Sequence, residues 1–513
     1  MRDRRSDEKI LNIAGIICFA VSLIAILSVC RFISGDDIWY DETFSMGFIR
    51  GGFADIISLT AKDVHPPFYY MYLKAFTYVY TALLGDGALI QGAKAASIIP
   101  WLGLFVLALT YIRKRYGVFV AGFFMMLVSL MPQLDTYYTE IRMYSLALLL
   151  ITAEILTAIR ICNKDGKCGI GTWIIFTLLG ILTAYTQYYA CIAIAGIYAA
   201  LLFIMIKNRT TEKKALIYLS VCALISAVIY LPWIPVLKTQ MGNISGNYWI
   251  QPLSLRSIPG CIKFILLPVT DIRHLPYIAV ILTVITLAAA FVVFVLNCKT
   301  VGKDNDATED IVDLIICISP LVIVVVSGFI LSIAGTPIFI YRYMIPALGG
   351  LWLGVAIMIN RAFSGRIAIV MLCPFFLTGA LSMAGFNAEE GKKVIQMYHA
   401  AEAMTLIPSG SSVITNFDHV SAVIGFYRPD VSVYLYDAEI DRLIPEMYDN
   451  VSDSLDDEAV CRLVNSEPDV FFLGSFNIRE DIVADWNKKG VDAELIDSCL
   501  IERYWINIYV LNG

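Results

Sequence analysis

About eleven times along this chain of 513 residues, an apolar stretch recurs that is long enough to cross a bilayer. The runs lie near 10–30, 95–112, 117–134, 144–160, 171–187, 189–206, 214–232, 276–297, 311–333, 344–360 and 367–385. A hydrocarbon core needs about 20 such residues per helix and offers no water to unpaired peptide groups. The pattern therefore predicts a multi-spanning helical membrane protein. The chain is 58% hydrophobic, against about 45–50% in soluble domains.

Charge orients the spans. The start, MRDRRSDEK, is basic, and no A-x-A site closes the first apolar run, which reads as a transmembrane helix with a cytoplasmic start. The doubtful segment is 66–85, PPFYYMYLKAFTYVYTALLG, with Lys74 in mid-run and five tyrosines. If it lies at the interface rather than crossing, the basic clusters share the side of the N-terminus. They are 113–115, Arg160/Lys164/Lys167, Lys207/Arg209/Lys213/Lys214, Lys299/Lys303 and Arg361/Arg366. If it crosses, all of them face outward, against the positive-inside rule. The non-crossing arrangement gives extracytoplasmic loops at 31–93, 135–143, 233–275 and 334–343.

Two regions follow, a membrane domain over 1–385 and an extracytoplasmic domain over 386–513. The latter holds 23 acidic and 9 basic side chains, leaving 21 and 29 for the rest. Its stretches SSVITNF, VSVYLYD, EPDVFFLGS, AELIDSC and YWINIYVL read as strands, with a helix around HVSAVIGFY, so a small α/β domain is expected. No Gly-rich phosphate loop accompanies it, and nothing suggests nucleic-acid binding. Most of the 12 cysteines lie in or beside apolar runs; only Cys461 and Cys499 fall in the tail, where pairing stays open.

Chemistry-bearing residues gather in the outer loops. WYDETFSMG carries Asp41 and Glu42, after Asp36 and Asp37; KDVHPPFYY carries Lys62, Asp63 and His65. DTYYTEIRMYS brings Asp135, Tyr138, Glu140, Arg142 and Tyr144, and IYRYMIP brings Arg342. Singly, each has an ordinary explanation: a solvated bend, a turn before prolines, an interfacial anchor. Together on one face they describe a base, a hydrogen-bonding wall and cations for phosphate.

The acidic pair after helix one, followed by HPP and an aromatic segment, resembles the GT-C membrane glycosyltransferases. YDETFS and DVHPPFYYMYLK are similar to stretches of protein O-mannosyltransferases; YYTEIRMYSL and YRYMIPAL resemble the bacterial RgtA/B/C/D-like branch. The likeness covers the membrane part, best over 36–150. It implies a plasma-membrane enzyme with a cytoplasmic N-terminus, a hexosyl- or pentosyltransferase taking sugar from a polyprenyl-phosphate donor. The acceptor would be an envelope glycan, lipid or protein.

By the same resemblance Asp41 is the general base, Glu42 a partner positioning acceptor or loop, and His65 the histidine near the acceptor. No segment is long enough for the β-trefoil insertion of eukaryotic mannosyltransferases, which favours a bacterial enzyme. Chemistry then calls for a cation at the leaving phosphate, with Arg142, Arg342 and Lys74 as candidates. Asp63, Tyr138, Glu140 and Tyr144 are expected to bind donor or acceptor. No cofactor is required by this scheme; a divalent metal on Asp41 and Glu42 stays open. A flippase for a lipid-linked glycan and a non-catalytic envelope scaffold are the alternatives; the charges sit mostly at the outer edge of the spans rather than inside them, unlike a transporter.

Overall fold

The computed structural model describes residues 2–164, 166–207, 213–244, 250–300 and 305–513. Arg209 and Lys303 lie outside them. The chain packs as two units, one of Met1–Ile33 with Val64–Asn387 and one of Ser34–Asp63 with Ala388–Gly513.

The first unit is built from helices: α1 (Arg2–Cys30), then α4 (Phe68–Leu84), α5 (Leu89–Leu107), α6 (Arg113–Leu130), α7 (Tyr144–Asn163), α8 (Ile170–Ala184) and α9 (Tyr188–Lys207), with further helices onward from Lys213; α2 (Tyr40–Phe48) and α3 (Phe53–Lys62) belong to the second unit. Among the described residues, nine helical stretches are long and apolar enough to cross a membrane. One of them, Asp86–Leu130, has 45 residues. At 1.5 Å per residue that is about 67 Å, roughly twice the hydrocarbon thickness. It breaks at Gly117, whose φ of 89° is non-helical, so it divides into the two expected spans. Adding α8, an apolar helix of 15 residues, recovers all eleven. Helix α4 forms over the doubtful segment and is not among the helices apolar enough to cross.

Large apolar side chains face outward in this unit. On α1, Ile13, Ile16, Ile17, Ile24 and Leu27 are 57–66% exposed, a stripe that water would not favour and lipid would. The opposite face of α1 packs on α6 through glycine. A Cβ at Gly122 would lie 2.0 Å from the Gly15 carbonyl oxygen, so the two backbones touch directly. At one end of the bundle, Asp313 is fully buried and gathers Arg115 (2.8 Å), the Tyr116 hydroxyl (2.6 Å) and Asn163 (3.4 Å).

The second unit holds a six-stranded sheet of β1 (Ser412–Thr415), β2 (Ser432–Tyr436), β3 (Val451–Leu455), β4 (Val470–Ser475), β5 (Asp492–Ile501) and β6 (Tyr504–Asn512), in the order β3-β2-β1-β4-β6-β5. The first four strands are parallel; β6 runs antiparallel to β4 and β5. Apolar side chains such as Ile414, Val460, Phe472, Trp486 and Leu511 form the core on one face. Cys461 and Cys499 are both free. The acidic segment 34–63 folds within this unit.

Replacing Gly122 by valine should wedge α1 from α6 at a cost of about 1–3 kcal/mol. Thermal melting of the solubilised chain should show a lower Tm for Gly122→Val. Gly171→Ala, where an added Cβ meets nothing within 4 Å, should match wild type.

Candidate functional site

The two adjacent acids of the second unit have different fates. Glu42 is 4% exposed, and its carboxylate turns back to accept the Trp39 N–H at 3.2 Å. The Glu42 and Thr43 amides in turn donate to the Trp39 carbonyl, at 2.8 and 3.1 Å. Glu42 thus closes the start of α2, as the acid of a capping box does; Trp39 offers no side-chain acceptor to complete the other half. Asp41 precedes it in the same first turn, half-buried, where the positive end of the helix favours an anion.

The rest of the segment is tied to the tail domain by polar contacts across hundreds of residues. Tyr448 donates its hydroxyl to the Thr43 carbonyl at 2.5 Å, and Arg50 donates to the Met447 carbonyl at 2.8 Å. Lys62 pairs with Glu446 at 2.5 Å, and Arg442 reaches the Lys62 carbonyl at 3.2 Å. Tyr427 donates to the Asp36 carbonyl. Asp63 ends α3, its N–H donating to Leu59.

Tyr40, beside Asp41, is held from three sides. Its amide donates to Glu502 at 2.7 Å, its hydroxyl lies 3.4 Å from an Asp418 oxygen, and its ring stacks on His419 with centroids 3.7 Å apart. Burial pushes the Glu502 carboxyl up to about 7 and holds His419 below the usual histidine range, the latter opposed by the charges of Asp418 and Asp41. Asp441 is also raised, first by burial and then by Asp63 and Asp418. Negative charge is therefore concentrated around the start of α2.

In the first unit, His65 leads into Pro66 and Pro67, and α4 begins at Phe68, whose amide donates to the Tyr185 carbonyl at 2.9 Å. Arg142 is 3% exposed and meets His65 Nε2 at 3.2 Å. A guanidinium only donates, so His65 accepts through Nε2 and is neutral there. Helix α5 supplies the adjoining wall. Ser97 donates to the Glu140 carbonyl at 2.7 Å, and Trp101 stacks on Tyr138 at 4.2 Å. Tyr138 is fully buried with its hydroxyl donated to the Ser129 carbonyl, and Tyr144 packs against Tyr137 at 4.7 Å. The Tyr138 hydroxyl is thus engaged within the protein itself. Arg342 and Lys74 are half-buried.

Lys94 was not singled out from sequence. It is 3% exposed on α5, one turn before Ser97 and two before Trp101, so it shares their face. A single lysine in the apolar run LIQGAKAASIIPW was the available signal. Asp135 is a structural carboxylate: 3% exposed, it accepts the Ser382 hydroxyl at 2.5 Å and the Thr136 amide at 2.9 Å. Among the described residues, no three His, Cys, Asp or Glu side chains are grouped to hold a metal ion, so Asp41 and Glu42 gain no third ligand there.

No protein-family model matches the sequence, and no curated protein does. Solved structures do. ArnT from Cupriavidus metallidurans in its apo state matches with a TM-score of 0.60 at 13% identity, over 97% of both chains. The same protein bound to undecaprenyl phosphate matches at 0.59 and 13%, over 97% of this chain and 98% of that one. The chain has the GT-C fold. Its membrane helices and its strand-containing C-terminal domain both fall within the matched length.

Burial pushes the Asp135 carboxyl from 3.8 up to about 6, the Ser382 hydroxyl opposing. The folded state then binds the proton more tightly than the unfolded one, so stability should fall as pH rises through roughly 4 to 6. Melting temperatures of wild type and Asp135→Asn should show this slope in the difference between them. Asp135→Ala, which strands Ser382 and Thr136, should lose about 1–3 kcal/mol.

Proposed function

We propose that the chain is a membrane glycosyltransferase that moves a sugar from a polyprenyl-phosphate donor to an acceptor on an extracytoplasmic glycan, lipid or protein. The full-length match to a GT-C structure that binds undecaprenyl phosphate carries this reading.

The acceptor hydroxyl is a poor nucleophile until a carboxylate takes its proton as attack proceeds. Asp41 has that role, half-buried in the first turn of α2, where the helix start favours an anion. The acceptor oxygen forms its bond to the anomeric carbon as the bond from that carbon to phosphate oxygen breaks. The electron pair leaves on the phosphate, so a single displacement inverts the centre. Charge building on the phosphate needs fixed donors. Arg142, oriented by His65, supplies a planar fork for two phosphate oxygens, with Arg342, Lys74 and Lys94 as further cations. Glu140 and Asp63 stand as acceptor or donor contacts, and the donor's lipid tail lies among the apolar helices.

Mass spectrometry of envelope glycans from cells with and without the gene should reveal the missing sugar. Asp41→Asn should remove the same product, with a rate loss of about 10²–10⁴, at unchanged membrane abundance. Arg142→Lys keeps the charge and loses the fork, and should fall well below wild type. Unaltered glycans in Asp41→Asn would remove the base assignment. Movement of a lipid-linked glycan without covalent change would turn the reading to transport.

A further inference from the structure

In open α/β sheets, ligands bind beyond the carboxyl ends of the strands, where the strand order reverses. Here the chain runs outward from β1 through β2 to β3, then returns to the other side of β1 as β4. The reversal lies between β1 and β4. Their carboxyl ends are locked together by Asn416, which accepts the Ser475 amide at 2.7 Å and donates to its carbonyl at 2.9 Å. Just beyond, Phe417 stacks on His419 at 4.4 Å and meets Phe476 and Tyr504 edge-on at 5.0 and 4.9 Å. Strand β6 runs antiparallel to β4, so the β5–β6 hairpin tip, Glu502-Arg503, comes to the same edge.

That edge is already occupied by the first turn of α2. Tyr40 lies on His419 and donates its amide to Glu502. The backbone is strained where it does so: Glu502 has φ 57° and Phe476 φ 58°, left-handed values unusual outside glycine. The first position of a two-residue hairpin with positive φ ordinarily takes glycine. A glutamate there forgoes backbone comfort, and what it gains is a carboxylate on the Tyr40 amide.

We infer that this edge of the C-terminal sheet is a positioning part of the transfer site, Glu502 and His419 holding the first turn of α2 and with it the backbone of Asp41. The inference rests on Asp41 being the proton acceptor. Glu502 touches neither donor nor acceptor; it acts through Tyr40.

Glu502→Gly separates anchor from fold, because glycine suits the hairpin while lacking the carboxylate. In the full-length chain in lipid nanodiscs, hydrogen exchange over residues 40–43 should quicken at least about tenfold in Glu502→Gly, with exchange over the strands β1, β4 and β6 unchanged. Glu502→Gln, whose amide oxygen still accepts, should keep the protection. In cells, transfer to the envelope product should fall in Glu502→Gly and recover in Glu502→Gln. Unchanged exchange in Glu502→Gly overturns the anchor. Faster exchange with full product overturns its importance for transfer. Wild type and Asp41→Asn giving identical glycans would instead defeat the transferase reading, and the exchange result alone would then judge the anchor.

Discussion

Hydrocarbon cannot hydrogen-bond a peptide group, and from that constraint the rest of this protein follows. The spans close their own backbone bonds as helices, and their outward faces stay apolar, as on α1. Most polar chemistry lies at the ends of helices and in the loops between them, while Lys94 and Glu154 are buried inside α5 and α7. The Asp313 cluster braces one helical end, and the His65–Arg142 pair lies among loop and helix-start residues. Where helices must approach closely without polar glue, glycine does it, as Gly15 and Gly122 show.

A loop does not hold a carboxylate still by itself. Electrostatic catalysis depends on groups whose orientation is fixed before reaction, because reorganisation at the moment of transfer would spend the advantage. In the acidic segment that order comes from two sources. Glu42 closes the helix start from within, and the tail domain grips the segment at Tyr40, Thr43, Arg50 and Lys62 from without. Two neighbouring acids thus share one helix start, Glu42 closing it and Asp41 carried in its first turn.

Much of this architecture is legible in the sequence, since the signals are local. Apolar length marks the spans, and alternating strand patterns mark β1, β2, β4, β5 and β6. The break between the spans near 112 and 117 is visible as basic residues followed by Gly117. The strand that escapes notice is β3, VSDSL, an edge strand with three polar residues of five, whose pattern is that of a loop. Lys94 escapes for the opposite reason: one charge in an apolar run does not disturb a hydropathy reading. The association of residues 34–63 with the tail has no local signature at all. It depends on individual hydrogen bonds between residues as far apart as Tyr40 and Glu502.

That association also brings acids of the tail beside those of the segment. Asp41, Asp418, Asp441 and Glu502 gather near one helix start, where burial first and neighbouring acids second raise Asp441 and lift Glu502 to about 7. Such a concentration of carboxyl groups is costly in a fold that only needs to be stable, because removing like charges from one another's neighbourhood would relieve it. Two strained backbone positions at the same edge, Phe476 and Glu502, add to that cost. Strain and charge crowding tolerated together at this edge of the sheet support the proposal that it positions a reactive group. A tail that merely covered the membrane part would have no use for either, and glycine at the hairpin tip would serve it better.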